Sequence, residues 1–353
     1  MQTLITFNEF KRTRMNFKRL FIIALIQVLS FSVFAGEHLV YQGETGPGKG
    51  KHVVFLASDH EYKSEEVCPA LARILAKNFG FKCTVLFGLN AKGEIQNGSS
   101  NIPGMEALKT ADLLFMGLRF QDWNDEQMGH FLTYIDSAKP IIGIRTSTHA
   151  FKLKDNKGKY AKFDWKHKSD DKWNSGFGSA ILGIGWQGHH GANHRQATRI
   201  DIVPKKKDHP ILKGVYKPWA YCGGYAAQTP SDCNVLAMAQ PLNGMTYDSP
   251  ADKKLKPQSA AWTRQYEGEG GKKGRVFCTT YGSSNCLESE GYRRMLINAC
   301  FWAVGLEDKI LADSKVDFIG PFNPTFGKKR GKRANAVKPL DMAGWDSPIV
   351  PLR

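Results

Sequence analysis

Continuous apolar runs alternate with helix-period stretches along the first half of the chain. His52–Ser58 (H-V-V-F-L-A-S) has the unbroken apolar centre of a strand buried on both faces. Over 65–78, Val67, Leu71, Ile74 and Leu75 recur on one helical face, and Gly80 ends the run. Strands are predicted over Lys82–Phe87, 112–118 and 140–146, with an amphipathic helix over 125–137 before the last of these. Such alternation implies right-handed crossovers and a parallel sheet with helices on both faces. After an irregular stretch, strands are predicted at 197–203, 234–239, 259–264 and 275–281, and a closing helix at 290–304.

The irregular stretch, 151–194, is rich in Lys, Gly, Trp and His, and an insertion of that length inside a compact domain usually carries function. The lead-in, 36–50, reads as flexible through G-E-T-G-P-G-K-G. The Pro- and Lys-rich extension, 306–353, contains K-K-R-G-K-R and is expected to be poorly ordered unless it wraps the domain. One large domain over 51–305 accounts for the rest.

Parallel strands deliver their carboxyl ends to one edge of a sheet, where ligands bind. Asp59, His60 and Glu61 follow the first strand, and Arg119 follows the third. The fourth strand runs into the polar elbow Arg145-Thr146-Ser147-Thr148-His149, and the last delivers Tyr281 and Ser283. The insertion adds His189, His190 and His194. Carboxylates, imidazoles and guanidiniums meeting in a cleft can transfer protons and stabilise an oxyanion. His149, His60, Asp59 and Glu61 are therefore the catalytic candidates. Arg145, Arg119, Thr146, Trp186, His189, His190, Tyr281 and Ser283 are the substrate-binding candidates.

Each group also has a structural reading. Asp59, His60 and Glu61 could cap the following helix, and Arg145 could pin the elbow to a carboxylate such as Asp59. In a water-poor cleft a fixed guanidinium suits anion or carbonyl recognition equally well. A divalent metal such as zinc, held by His149 with His189 or His190 and a carboxylate, is a further alternative, although no H-E-x-x-H is present. Trp165, Trp173, Phe177 and Trp186 suit either the apolar faces of sugar rings or packing of the insertion on the sheet.

Residues 1–35 have the form of an export signal. Lys11, Arg12, Arg14, Lys18 and Arg19 precede an apolar stretch, and V-F-A ends at Ala35, where cleavage is expected. The expectation is a periplasmic or secreted protein with no stable membrane span after cleavage. Of the formal charge of +16, the leader holds +4 (five basic residues against Glu9), which leaves +12. Export argues against a nucleic-acid partner for that surplus and towards an acidic glycan or an anionic envelope surface, with a solvated basic surface that has no specific partner as the alternative. The cleft itself is expected to take a carbohydrate or small-molecule substrate. Seven scattered cysteines do not form a disulfide framework. Cys68 and Cys83 are too far apart to bridge, whereas Cys222 with Cys233, or Cys278 with Cys286, could pair.

K-H-V-V-F-L-A-S-D-H-E-Y-K-S-E-E, P-I-I-G-I-R-T-S-T-H-A-F and W-N-S-G-F-G-S-A-I-L-G-I-G-W-Q-G-H-H-G resemble the trehalose-utilisation (ThuA-like) family. So do D-H-P-I-L-K-G and G-R-V-F-C-T-T-Y-G-S with the helix that follows, and together these cover about 51–305 in order. The resemblance implies an α/β fold of the class I glutamine amidotransferase-like type, a flavodoxin-like three-layer sandwich with a mostly parallel central sheet. It also implies a link to sugar metabolism. The cleft residues read as an enzyme acting on a sugar or keto-sugar by hydrolase, lyase or isomerase chemistry, and a non-catalytic glycan-binding accessory role is the alternative. Amidotransferases place a cysteine at the elbow where this chain has Arg145, so glutaminase activity is not expected. The chain departs from its relatives at Arg145 and at Gly282-Ser283, where many of them carry histidine.

Overall fold

The computed structural model describes residues 36–154, 158–327 and 336–350. The leader and the basic run at 328–333 lie outside the described residues. Five strands form the parallel centre of a ten-stranded sheet: β2 (His52–Ser58), β3 (Lys82–Phe87), β4 (Leu113–Leu118), β5 (Ile141–Ile144) and β12 (Lys273–Thr279). They lie in the order β3-β2-β4-β5-β12. Numbered among themselves, that is 2-1-3-4-5, a common doubly wound order whose switch point falls between β2 and β4.

The parallel character stops at the centre. β11 (Gln258–Glu267), β10 (Asn234–Pro241), β7 (Thr198–Ile202) and β8 (Trp219–Ala220) extend the sheet antiparallel. The connection from β11 to β12 is too short for a crossover helix, so these two strands must pair as a hairpin. On the other edge, β1 (His38–Gln42) pairs antiparallel with β3. This corrects the expectation of a flexible lead-in throughout 36–50: Leu39 and Tyr41 alternate inward while Val40 and Gln42 face solvent.

β2 shows why its run is continuously apolar. Val53, Phe55 and Ala57 enter one core with α1 (Ser64–Phe79) and α3 (Glu290–Ala303), where Phe79 and Phe81 meet Phe301. Val54 and Leu56 enter the opposite core with Met128, Phe131 and Tyr134 of α2 (Asp125–Asp136). Aromatic residues of the insertion complete that second layer, as Phe151, Phe163 and Phe177 pack around Phe131. Phe177 and Trp173 thus take the packing role weighed for them.

The described part of the carboxyl-terminal extension wraps the domain. Arg73 on α1 is fully buried and donates to the hydroxyl of Tyr41 and the carbonyls of Ile319, Met342 and Ser347. Glu66 accepts from the backbone N–H and hydroxyl of Thr325. Among the described residues, no helix is long and apolar enough to cross a membrane.

Candidate functional site

The carboxyl ends of β2, β4 and β5 converge as the topology requires, with different side chains facing solvent from those the motifs suggested. β2 ends at Ser58, and the chain turns through 59–63 into α1. Asp59 is buried, and its carboxylate accepts from the backbone N–H groups of Glu61 (2.6 Å), Tyr62 (2.5 Å) and Ser64 (3.0 Å). Lys63, in the left-handed region at φ 66°, makes no side-chain cap, so Asp59 serves the helix amino terminus instead. Burial raises the Asp59 carboxyl while these hydrogen bonds oppose the shift. Its lone pairs are occupied by the backbone. His60 and Glu61 are exposed, and Glu61 pairs with Arg119 at 3.0 Å across the switch point.

β5 ends in a short 3-10 turn, Arg145–His149, entered through Arg145 at φ 47°. A non-glycine residue in the left-handed region between strand and turn is the geometry of a nucleophile elbow, at a cost of order 1–3 kcal/mol. Here the elbow aims a guanidinium inward. Arg145 is 1% exposed and does not reach Asp59. It donates to the carbonyls of Gly223 and Thr280 (3.1 Å to the latter) and to Asn193 Oδ1 at 3.3 Å. It is also sandwiched between the rings of Tyr62 (4.0 Å) and Tyr225 (4.4 Å). Thr146 is buried beside it, and its hydroxyl has no partner.

His149, at the end of the same turn, also packs against Tyr225. Its ring centroid is 5.2 Å from Phe120, 5.5 Å from Tyr225, 6.1 Å from Trp186 and 6.4 Å from Trp165. Thr148 Oγ1 is 3.1 Å from its Nδ1. Burial, then the charges of Arg119 and Arg145, lower His149 to about 3, so the imidazole is neutral near pH 7. The rings pack around it as an aromatic cup, and Trp186, 38% exposed, and the exposed His189 form its surface edge. Trp165 and Trp186 meet edge to face, with ring centroids 6.1 Å apart. Phe120, which places the Arg119 guanidinium over its own ring, completes the wall beside His60.

The insertion is seated rigidly under this cup. Its single π-turn, Gly178–Leu182, is held by the Trp262 indole, which donates to Leu182 O at 2.7 Å, and by Arg264, which donates to the carbonyls of Ser179, Ala180 and Ile181. Gly178 lies so close to the elbow that a Cβ there would fall 2.0 Å from Thr148 O.

The remaining candidates lie elsewhere. Tyr281 and Ser283 are fully buried below the elbow, and Ser283 Oγ contacts Cys286 Sγ at 3.0 Å. His190 turns away from the cup, with Nε2 2.9 Å from the carbonyl of Lys256, and His194 stacks on Phe326 at 4.5 Å. Among the described residues, no three His, Cys, Asp or Glu side chains are grouped to hold a metal ion. With Asp59 capping a helix, His149 bonded to Thr148 and His190 turned to Lys256, the zinc set considered from sequence does not fit. Sequence reasoning missed Tyr62, Phe120 and Tyr225. Tyr62 and Phe120 each follow a residue that was singled out; Tyr225 carries no signal beyond its place in G-G-Y.

No family model matches the chain, and no curated protein does. Solved structures similar to it include a ThuA-like protein from Parabacteroides merdae, at 15% identity and TM-score 0.42, covering 72% of this chain and 90% of that one. Another is a ThuA-like protein from Bacteroides uniformis, at 12% identity and TM-score 0.42, covering 74% and 95%. A third, a cytoplasmic protein from Salmonella typhimurium, has 10% identity and TM-score 0.36, with 72% and 98% covered.

Proposed function

We propose that the aromatic cup at the carboxyl edge binds a carbohydrate or keto-sugar, and that the protein meets this ligand outside the cytoplasm. The observation that carries the reading is a neutral imidazole enclosed by Phe120, Trp165, Trp186 and Tyr225, with the Glu61–Arg119 pair at the same switch point. Indole faces match the apolar faces of sugar rings. With Nδ1 engaged by Thr148, a neutral His149 has Nε2 left for a ligand hydroxyl, without the cost of desolvating a charge. Glu61 and Arg119 supply charge-assisted hydrogen bonds at the rim. The motif resemblance to the ThuA-like family supports a sugar as the ligand, and the signal-like leader supports export.

Acid–base turnover is a second reading, favoured by the exposure of His60 and Glu61 beside Arg119. Those two groups, rather than Asp59, would move the proton, since the Asp59 carboxylate is committed to α1. Titration of tryptophan fluorescence with glucose, trehalose and their keto derivatives tests the site. Saturable quenching by one of them supports it, and silence from all of them overturns it. Product formation lost in His60→Ala and Glu61→Gln at unchanged Kd would establish turnover, whereas binding with no product would establish an accessory role.

A further inference from the structure

Beneath Arg145 lies a sulfur cluster that the carbohydrate reading does not use. Cys222 follows β8 and Cys286 sits in the turn after β12, yet their sulfurs are 3.5 Å apart and both are fully buried. The sequence-based pairings, Cys222 with Cys233 and Cys278 with Cys286, are replaced by this one. Ser283 Oγ lies 3.0 Å from Cys286 Sγ, and Arg145 Nη1 lies 3.7 Å from Cys222 Sγ.

Arg145 is a buried cation whose other described partners are carbonyls, an amide oxygen and two tyrosine rings. A buried charge needs a counter-charge, and a guanidinium stabilises a thiolate in contact with it. Burial works to raise the Cys222 thiol, but the hydrogen bond with Cys286 and the Arg145 charge outweigh it and bring it down to about 6. Burial pushes Cys286 up, as it does Cys68, Cys83, Cys278 and Cys300. Cys233 is raised by burial to about 12. One acidic thiol beside one that burial holds protonated is a division of labour between an attacking and a resolving cysteine.

We propose that Cys222 and Cys286 are a redox-active dithiol that a hydroperoxide closes to an intramolecular disulfide. The Cys222 thiolate attacks one peroxide oxygen and the O–O bond breaks. This leaves a sulfenic acid on Cys222 and a hydroxide, which leaves as water after taking a proton from solvent. The Cys286 sulfur then attacks the sulfenyl sulfur, the S–O bond breaks, and the second water leaves with the Cys286 proton as the S–S bond forms. Two thiols lose two electrons, and one peroxide becomes two waters. Closure removes the anionic partner of Arg145, which packs on Tyr225 as His149 does. The proposal does not depend on the ligand of the cup.

The test treats the folded, full-length protein with hydrogen peroxide, alkylates the remaining thiols in denaturant and maps peptides without reduction. The expected result is one cross-link, between Cys222 and Cys286, with two of the seven thiols lost and both recovered on adding dithiothreitol. In Cys286→Ser, dimedone should trap the sulfenic acid on Cys222; in Cys222→Ser, neither cross-link nor adduct should form. If a variant does not fold, the wild-type map decides alone. Cross-linking of Cys222 to Cys233, or Cys222 and Cys286 still fully alkylated at peroxide concentrations that oxidise other cysteines, would overturn the proposal.

Discussion

Replacing His149 with glutamine should flatten the acid limb of the stability curve by a calculable amount. The imidazole of an unfolded chain titrates near 6.5, whereas burial and then the neighbouring Arg119 and Arg145 charges lower the folded value to about 3. The unfolded state therefore binds the extra proton first. Stability from this group is fully present above pH 6.5 and is lost as pH falls towards 3. At about 1.36 kcal/mol per unit, the whole shift corresponds to roughly 5 kcal/mol. The part lost between pH 7.5 and pH 4.5 is about 3 kcal/mol by the same linkage. His52, lowered to about 4 by burial first and then by the Lys82 charge, pulls in the same direction. Glu65, raised to about 8 by burial, pulls the opposite way because its folded form holds a proton that the unfolded form releases. Both remain in the variant, so the difference between the two proteins isolates His149. Urea unfolding followed by tryptophan fluorescence at the two pH values measures it. His149→Gln should lose about 3 kcal/mol less than wild type on acidification; equal losses would refute a neutral, enclosed imidazole.

Three further outcomes follow from packing and hydrogen bonding. Gly178→Ala drives a Cβ into Thr148 O and should cost about 3 kcal/mol or more, read as a lowered thermal midpoint. Arg73→Met leaves the buried carbonyl of Met342, the partly buried carbonyls of Ile319 and Ser347 and the Tyr41 hydroxyl without their donor, at a cost of about 3–5 kcal/mol. Limited trypsin digestion should then remove the segment after Ile319 while the central domain resists, and an unchanged pattern would show that Arg73 does not hold it. Asp59→Ala strips the acceptor from three N–H groups at the start of α1 and should lower stability by about 2 kcal/mol; stability within a few tenths of wild type would contradict its capping role.

The central sheet was legible because strands buried on both faces write unbroken apolar runs, and β2, β3, β4 and β5 each do so. β1 was lost because five alternating residues beside a glycine-rich stretch make a weak signal. The antiparallel pairing of β11 with β12 follows from their short connection, which periodicity does not report. At the site, topology correctly brought 59–61, Arg119 and the elbow to one rim. It did not show which groups are spent holding that rim together. Asp59 is consumed by the first turn of α1, and Arg145 by carbonyls from chain-distant loops at Gly223 and Thr280. The Cys222–Cys286 approach was equally invisible, because both residues sit in short turns whose relative placement depends on the folded layers.

The central claim is that Trp165 and Trp186 present a sugar to the neutral imidazole of His149. Its most direct measurement is the Kd of the tightest-binding sugar for wild type and for the double variant Trp165→Ala/Trp186→Ala, with near-ultraviolet circular dichroism confirming the fold. Removing two aromatic faces worth about 0.5–1.5 kcal/mol each, beyond their buried area, should weaken binding at least tenfold. Unchanged affinity in a folded double variant would contradict the account and move the ligand away from the carboxyl edge.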